Sequence, residues 1–372
     1  MNSFYVHIPF CIAKCHYCGF NSQPLEQPAE LKKYFQALSR EIGDHRTGID
    51  ILRTIYFGGG TPTIAPVKLI EMIVSRMQPW APNAELTIEA NPGTVTLERL
   101  RSLKGMGFNR LSLGVQSFND ARLKQIGRVH TGRQAAKAFE LGSQAGFANI
   151  SLDLIYALPG QSLNDWKEDL AKALSLGPQH LSLYSLTYEP ETEFTKKKAE
   201  GLIHPVSEEL EEEMYLTAIE TLGSAGYLHY EVSNFAKKNF RSRHNINYWQ
   251  AGDYLGFGAG AHSHLDGKRW SNYKNPDQYI AALTKGESPV EMEEKLTRDQ
   301  QIFEAIFLGL RMTEGIDIEE FRTKWGIKPG EYLPQVWRKL EKNGCLETKG
   351  DNLRLNIKGI LLSDTILSDF AP

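Results

Sequence analysis

The feature that most constrains this 372-residue chain is an alternation of short apolar runs with helix-like segments over the first 230 residues. The runs are FYVHIPF from Phe4, TIYFGGG from Thr54, ELTIEAN from Glu85, RLSLGVQ from Arg110, ISLDLIYAL from Ile150 and HLSLYSLTY from His180. Between and after them lie LKKYFQALSREI, VKLIEMIVSRM, LERLRSLKGMG, RQAAKAFELGSQAG, WKEDLAKALSLG and LEEEMYLTAIETLGSAG, with apolar residues at helical spacing. Several of these open on Asp, Ser, Thr or Pro and close on Gly, as helices do. Strands alternating with helices predict parallel βαβ units and an α/β fold. Six units fit either an open doubly wound sheet or a partial (β/α)6 TIM-like barrel. His7, Glu89, Gln116, Asp153 and the Gly58–Thr61 turn stand at or just past the ends of their strands. In a barrel those ends converge on one face, where chemistry sits, and this favours the barrel. The blander alternative is that some of these residues cap the following helix.

The rhythm divides the chain into three expected units: a barrel core over 1–228, an extension over 229–295 and a C-terminal domain over 296–372. The extension, YEVSNFAKKNFRSRHNINYWQAGDYLGFGAGAHSHLDGKRWSNY and onward, is rich in Gly, aromatics, Asn and His, and reads as strands with functional loops. The last unit has helix-like segments near RDQQIFEAIFLGLRM, IEEFRTKWG and LPQVWRKLEKNG, then two short runs separated by Gly350-Asp351. Three helices and a hairpin predict a small winged-helix-like domain. The acidic run EELEEEM reads as the solvated first turn of a helix.

Only four cysteines occur, three of them within eight residues, as Cys11-Ile-Ala-Lys-Cys15-His-Tyr-Cys18. That clustering argues against a disulfide framework and for a reducing cytoplasm, with peripheral membrane association left open. No apolar run approaches the roughly 18 to 20 residues of a membrane span, and no secretory signal pattern opens the chain. The net charge of −3 gives no footprint for nucleic acid. Thiolates at C-x3-C-x2-C spacing suit an iron–sulfur cubane with one iron left open, because no fourth cysteine follows locally. A zinc site is the alternative and would need His16 or His7 as a fourth ligand. Cys345 reads as a small buried apolar residue.

The cysteine loop after a first strand resembles the radical S-adenosylmethionine (SAM) superfamily. That resemblance implies a [4Fe–4S] cluster on Cys11, Cys15 and Cys18, with SAM chelating the open iron and an electron donor reducing the cluster. YVHIPFC, YFGGGTPT, the Glu of TIEANP, LGVQSF, GRVHT and LDLIYALPGQ further resemble the coproporphyrinogen III dehydrogenase-like branch in order and spacing. Carried over by motif, the SAM positions are Tyr5, Gly59, Gly60, Thr61, Glu89, Gln116, Arg128, Asp153, Thr187 and His262. The choices make physical sense: glycines let backbone approach the methionyl ammonium, carboxylates bind ammonium or ribose hydroxyls, and Arg128 can hold a carboxylate as a fork.

Within the branch, three features resemble the HemW-type heme chaperones rather than the decarboxylating dehydrogenase. Only three residues precede Phe4, the cysteine loop ends Cys18-Gly19-Phe20 without a further cysteine, and His244-Asn245-Ile246-Asn247-Tyr248-Trp249 fits an HNxxYW motif. The resemblance implies that the chain binds heme and hands it to acceptor proteins such as respiratory enzymes, with His244 as the heme ligand. Taken alone, a histidine in such a place is more often structural. Gly19 departs from the acidic residue that HemW-type chains often carry after the third cysteine. His264 is left unassigned. The C-terminal unit also raises a DNA-binding reading, but Arg338, Lys339 and Lys342 beside Glu341 are too little charge for a phosphate footprint.

Overall fold

The computed structural model describes residues 2–45, 51–363, 366 and 370. All six expected runs are strands: β1 (Ser3–Ile8), β2 (Leu52–Gly59), β3 (Trp80–Ala90), β4 (Arg110–Gln116), β5 (Asn149–Tyr156) and β6 (His180–Ser185). Each pairs in parallel with the next, with Phe4 opposite Ile55, Phe57 opposite Ile88, Glu89 opposite Ser112, and Asp153 opposite both Gly114 and Ser182. Parallel neighbours need a crossover, and helices supply it. These are α1 (Pro28–His45), α2 (Val67–Arg76), α3 (Leu97–Gly105), α4 (Gly132–Gln144) and α5 (Leu163–Leu176), with α6 (Glu208–Ser224) following β6. Their starts carry side-chain caps: Thr96, Thr131, Ser162 and Ser207 each accept a hydrogen bond from the backbone three residues on. Gly177 closes α5 in the left-handed region at φ 72°.

Period-two alternation sorts the side chains of these strands onto two faces. Leu111, Leu113 and Val115, Ile150, Leu152 and Leu154, and Leu181 and Leu183 form the buried apolar layer under the helices. The intervening residues face the barrel interior: Arg110, Ser112, Gly114 and Gln116 on β4, Asp153 on β5, and Ser182 and Tyr184 on β6. The lumen is therefore polar, where parallel β/α barrels are usually filled by apolar layers.

The extension is woven into the same sheet. Strands β7 (Leu228–Glu231) and β8 (Asn234–Ala236) continue it antiparallel beyond β6, and β9 (Leu255–Phe257) adds in parallel outside β1. The order is β9-β1-β2-β3-β4-β5-β6-β8-β7, a barrel-like sheet whose edges do not pair with each other. The HNxxYW segment, expected among strands and loops, is a short helix instead, α7 (Arg243–Trp249). Its first turn is held by Ser242, which accepts from the Asn245 N–H, and by Glu85 of β3, whose carboxylate accepts from the N–H groups of Arg243 and His244 at 3.1 Å each. The C-terminal unit has helices Arg298–Gly309, Ile318–Trp325 and Pro334–Lys342 and a three-stranded antiparallel sheet whose hairpin turns at Gly350–Asp351. This is the winged-helix-like arrangement expected. Among the described residues, no helix is long and apolar enough to cross a membrane.

One buried carboxyl fastens the extension to the barrel. Glu41 of α1 accepts from the Tyr279 hydroxyl and the Asn272 amide, both at 2.5 Å, and from the Gly258 N–H at 2.8 Å. Burial pushes its pKa up, and those three donors oppose the shift. Replacing Glu41 by Ala leaves buried donors unpaired and is expected to remove roughly 3 kcal/mol of stability. Urea unfolding should show a lower midpoint, while Lys33→Ala, at an exposed position of the same helix, should stay within about 0.5 kcal/mol of the parent.

Candidate cluster and cofactor site

The strands' C-terminal ends and the cysteine loop enclose a cavity of about 570 Å³. Cys11, Cys15 and Cys18 all line it. The loop is anchored at both ends: Phe10–Cys11 pairs in parallel with Gln23–Pro24, and the His16 N–H donates to the Ile126 carbonyl at 3.1 Å. Each sulfur has a polar neighbour. Thr61 Oγ1 donates to Cys11 and Arg128 Nη1 to Cys15, both at 3.5 Å, and Ser22 Oγ lies 3.9 Å from Cys18. Burial pushes the Cys11 and Cys18 thiols up. Donors and a guanidinium around the sulfurs suit thiolates that bind metal.

Neither histidine considered as a fourth zinc ligand is available. His7 Nε2 donates to the Asn21 carbonyl at 2.8 Å, and its Nδ1 is paired with the Tyr5 hydroxyl at 2.9 Å. His16 Nδ1 donates to the Gln125 carbonyl at 3.0 Å, while Nε2 faces Glu193 at 3.4 Å. The donor set is thus three cysteines alone, which fits a cubane with one open iron rather than a closed zinc site.

Opposite the cysteines stand two carboxyl groups. Glu89 accepts from the Tyr56 hydroxyl at 2.7 Å and the Gly59 N–H at 3.2 Å, and burial raises its pKa to about 7. Asp153 accepts from Ser112 Oγ at 3.0 Å and Ser151 Oγ at 3.1 Å; burial raises its pKa, and Arg110 opposes the shift. Between them and the cysteine loop runs the glycine turn. At Gly60 a Cβ would meet the Phe10 carbonyl oxygen at 2.5 Å, and Gly59 has φ +110° with the His7 ring 2.7 Å from where its Cβ would lie. No side chain fits there, so a ligand can come close to bare backbone, whose Gly59 and Gly60 N–H groups are already given to Glu89 and to the Ile8 carbonyl. Paired acids and bare backbone suit a cation with hydroxyl and ammonium groups, as SAM has.

Of the residues expected around SAM, Gly59, Gly60, Glu89, Gln116, Arg128, Asp153 and Thr187 line the cavity. Thr61 is buried behind Cys11, bonded to its sulfur and to the Asn91 amide. Tyr5 lies in the wall, its ring 6.1 Å from Tyr56. His262 starts the strand His262–Leu265 of a separate sheet, is exposed, and stands outside the residues that line the cavity. Arg128, read as a fork for a carboxylate, turns its guanidinium to Cys15, the Asn91 side chain and the Gly114 carbonyl. Sequence reasoning missed Tyr56, Asn91, Arg110, Ser112, Ser182, Tyr184 and Asn245. Strict alternation from Glu89 reaches Asn91, and from Gln116 it reaches Ser112 and Arg110, whereas Tyr56, Ser182, Tyr184 and Asn245 lie on other elements.

His244 stands in the wall, apart from the cysteine loop. It is 1% exposed, with Nδ1 paired to Thr54 Oγ1 and Nε2 to the Tyr248 hydroxyl, both at 2.8 Å. Burial and then the Arg110 charge lower its pKa to about 3, so the ring is neutral. As folded, it has no free nitrogen to give to a heme iron. Its helix lies against the opposite ends of the strands from the cysteine loop, and Asn245 reaches the cavity from there.

Residues 5–173 match the family model of the Radical SAM superfamily, and residues 296–362 match that of the HemN C-terminal domain. The chain is 39% identical over 377 residues to the heme chaperone HemW of Bacillus subtilis, spanning 100% of this chain and 99% of that protein. To the heme chaperone HemW of Escherichia coli it is 34% identical over 383 residues, spanning 99% and 97%. Among solved structures, the coproporphyrinogen III oxidase HemN of Escherichia coli, a radical SAM enzyme, matches with a TM-score of 0.86 at 25% identity, covering 99% of this chain and 89% of that one. With full-length identity at this level and the cysteine cavity in place, the chain belongs to the HemW family of the radical SAM superfamily.

Proposed function

We propose that the protein is a heme chaperone: it carries a [4Fe–4S] cluster and SAM in the barrel cavity, binds heme, and passes it to acceptor proteins such as respiratory enzymes. The observation that carries this reading is similarity to heme chaperones over the whole chain, cysteine loop and C-terminal unit included. The likeness to a coproporphyrinogen oxidase concerns the shared scaffold, and a scaffold does not choose between activities. We assign residues 1–228 to the barrel, 229–295 to an extension that completes its wall and floor, and 296–372 to the C-terminal domain.

Cys11, Cys15 and Cys18 would hold the cluster, which when bound supplies one-electron reducing chemistry at an open iron. Arg128 stabilises the Cys15 thiolate, and Glu89, Asp153 and the Gly59–Gly60 backbone orient SAM. An electron donor to the cluster is the remaining partner.

Anaerobic reconstitution should yield about four iron and four sulfide per chain. Replacing Cys11, Cys15 or Cys18 by Ala should remove most of both, while Cys345→Ala, at a site buried in the C-terminal unit, should leave them. Zinc without labile sulfide would refute the assignment.

SAM affinity should depend on pH through Glu89. Its pKa of about 7 leaves it protonated in mildly acidic solution, and a cationic ligand favours the ionised form. Affinity is therefore expected to rise as pH is raised from 6 to 8, approaching tenfold per unit below the pKa. Equilibrium binding should show this slope flattened in Glu89→Gln. Without ligand the sign reverses: the unfolded chain ionises this group first, near 4.5, so its contribution to stability falls as pH rises from there towards 7.

Heme-loaded protein should restore activity to a heme-depleted acceptor enzyme. The cluster-loaded protein should convert no coproporphyrinogen III under reducing, SAM-replete conditions. Turnover abolished by Cys15→Ala would instead establish the decarboxylase.

A further inference from the structure

The motif helix α7 closes the barrel at the strands' N-terminal ends, and His244 is its contact with the cavity wall. The imidazole lies nearly parallel to the Tyr56 ring, 28° between planes and 5.2 Å between centroids, and similarly beside Tyr5 at 6.5 Å. Its two nitrogens are tied in opposite senses. Thr54, two residues before Tyr56 on β2, holds Nδ1, and Tyr248 of the same helix holds Nε2. Above this layer, Tyr56 donates to Glu89 and Tyr5 is paired with His7. The ring thus packs against the one phenol that directs the Glu89 carboxylate into the cavity.

Geometry of this kind makes the histidine a spacer with two polar anchors. Removing it takes a planar wall from under Tyr56 and strands the Thr54 and Tyr248 hydroxyls in a buried place. Tyr56 then gains freedom, and the Glu89 carboxylate loses its fixed donor. We propose that His244 is a positioning residue for the SAM-binding face of the cavity, acting through Tyr56 on Glu89, and that heme is held without ligation by His244. The inference rests on the cluster and SAM part of the functional reading and is independent of whether heme is transferred.

The test uses full-length, cluster-reconstituted protein and reads SAM binding by calorimetry and by the SAM-induced change in the reduced cluster's paramagnetic resonance signal. His244→Ala and Tyr56→Phe should each weaken SAM binding about tenfold, and the double variant should fall no more than about twofold below either single, because both break one linkage. Without SAM, the cluster signal and iron content should match the parent, which general loss of structure would not allow. Tyr248→Phe keeps the ring packing and frees only Nε2, so about a threefold loss is expected. Should His244→Ala fail to fold, His244→Gln and Tyr248→Phe carry the same comparison with Tyr56→Phe. The heme Soret band of the His244 variants should keep its position and intensity. SAM affinity within about twofold of the parent, or additivity with Tyr56→Phe, would overturn the proposal. Loss of the Soret band with SAM binding intact would overturn it too, and would restore His244 as the heme ligand. Failure of the parent to transfer heme would count against the chaperone reading alone.

Discussion

The structure depends on ionisable groups buried inside the barrel. Arg110 is 1% exposed and sits among Glu85, Asp153, Tyr56 and Tyr230. Its field opposes the burial penalty on Asp153 and Glu89, and it helps keep His180 and His244 neutral. A buried charge needs compensation from its surroundings. Here one guanidinium serves several acids, and the acids outnumber it. Carboxyl groups facing the cavity beside Arg110 and Arg128 suit a ligand that brings positive charge, as SAM does with its sulfonium and ammonium. An apolar barrel interior would be more stable and would have nothing with which to hold such a ligand.

Maintaining that interior requires a floor, and the extension provides it. His180 Nε2 pairs with the Tyr230 hydroxyl at 2.8 Å, and the same hydroxyl accepts from the Ser242 N–H at 3.2 Å, at the start of α7. Glu85 caps that helix from the barrel side. The C-terminal unit attaches to the same strand: the Val232 N–H donates to the Arg311 carbonyl at 3.0 Å, and the Thr313 N–H donates to the Tyr230 carbonyl at 3.2 Å. Barrel floor, motif helix and C-terminal unit therefore share one short segment, residues 230–232.

The barrel was legible because each strand carries an apolar face at period two, and because helix caps announce themselves locally. Cys11, Cys15, Cys18, Glu89 and Asp153 were legible for the same reason: each belongs to a short motif whose spacing sets its geometry. What escaped was set across long sequence distances. Helix α7 has few strong helix formers, and apart from the Ser242 cap its start is secured by Glu85, some 160 residues earlier. His244 looked like an open ligand because its partner Thr54 lies in a different unit. His262 was carried by resemblance alone, and the strand that bears it turns its side chain to solvent.

Gly19 shows how a departure from a family's pattern acquires a physical reason in three dimensions. A Cβ at this position would lie 2.6 Å from Cγ and 2.8 Å from Cβ of Glu189. Any larger residue would have to displace that side chain, so an acidic residue here and Glu189 in its present place exclude each other. Glu189 also lines the cavity, following Thr187 after β6. A Glu side chain therefore stands beside Gly19, delivered from the barrel wall and not from the cysteine loop. The cysteine ligands and this acid then rest on different elements, and their relative placement is set by the packing of the loop against the segment that follows β6, where the Phe194 N–H donates to the His16 carbonyl at 3.0 Å.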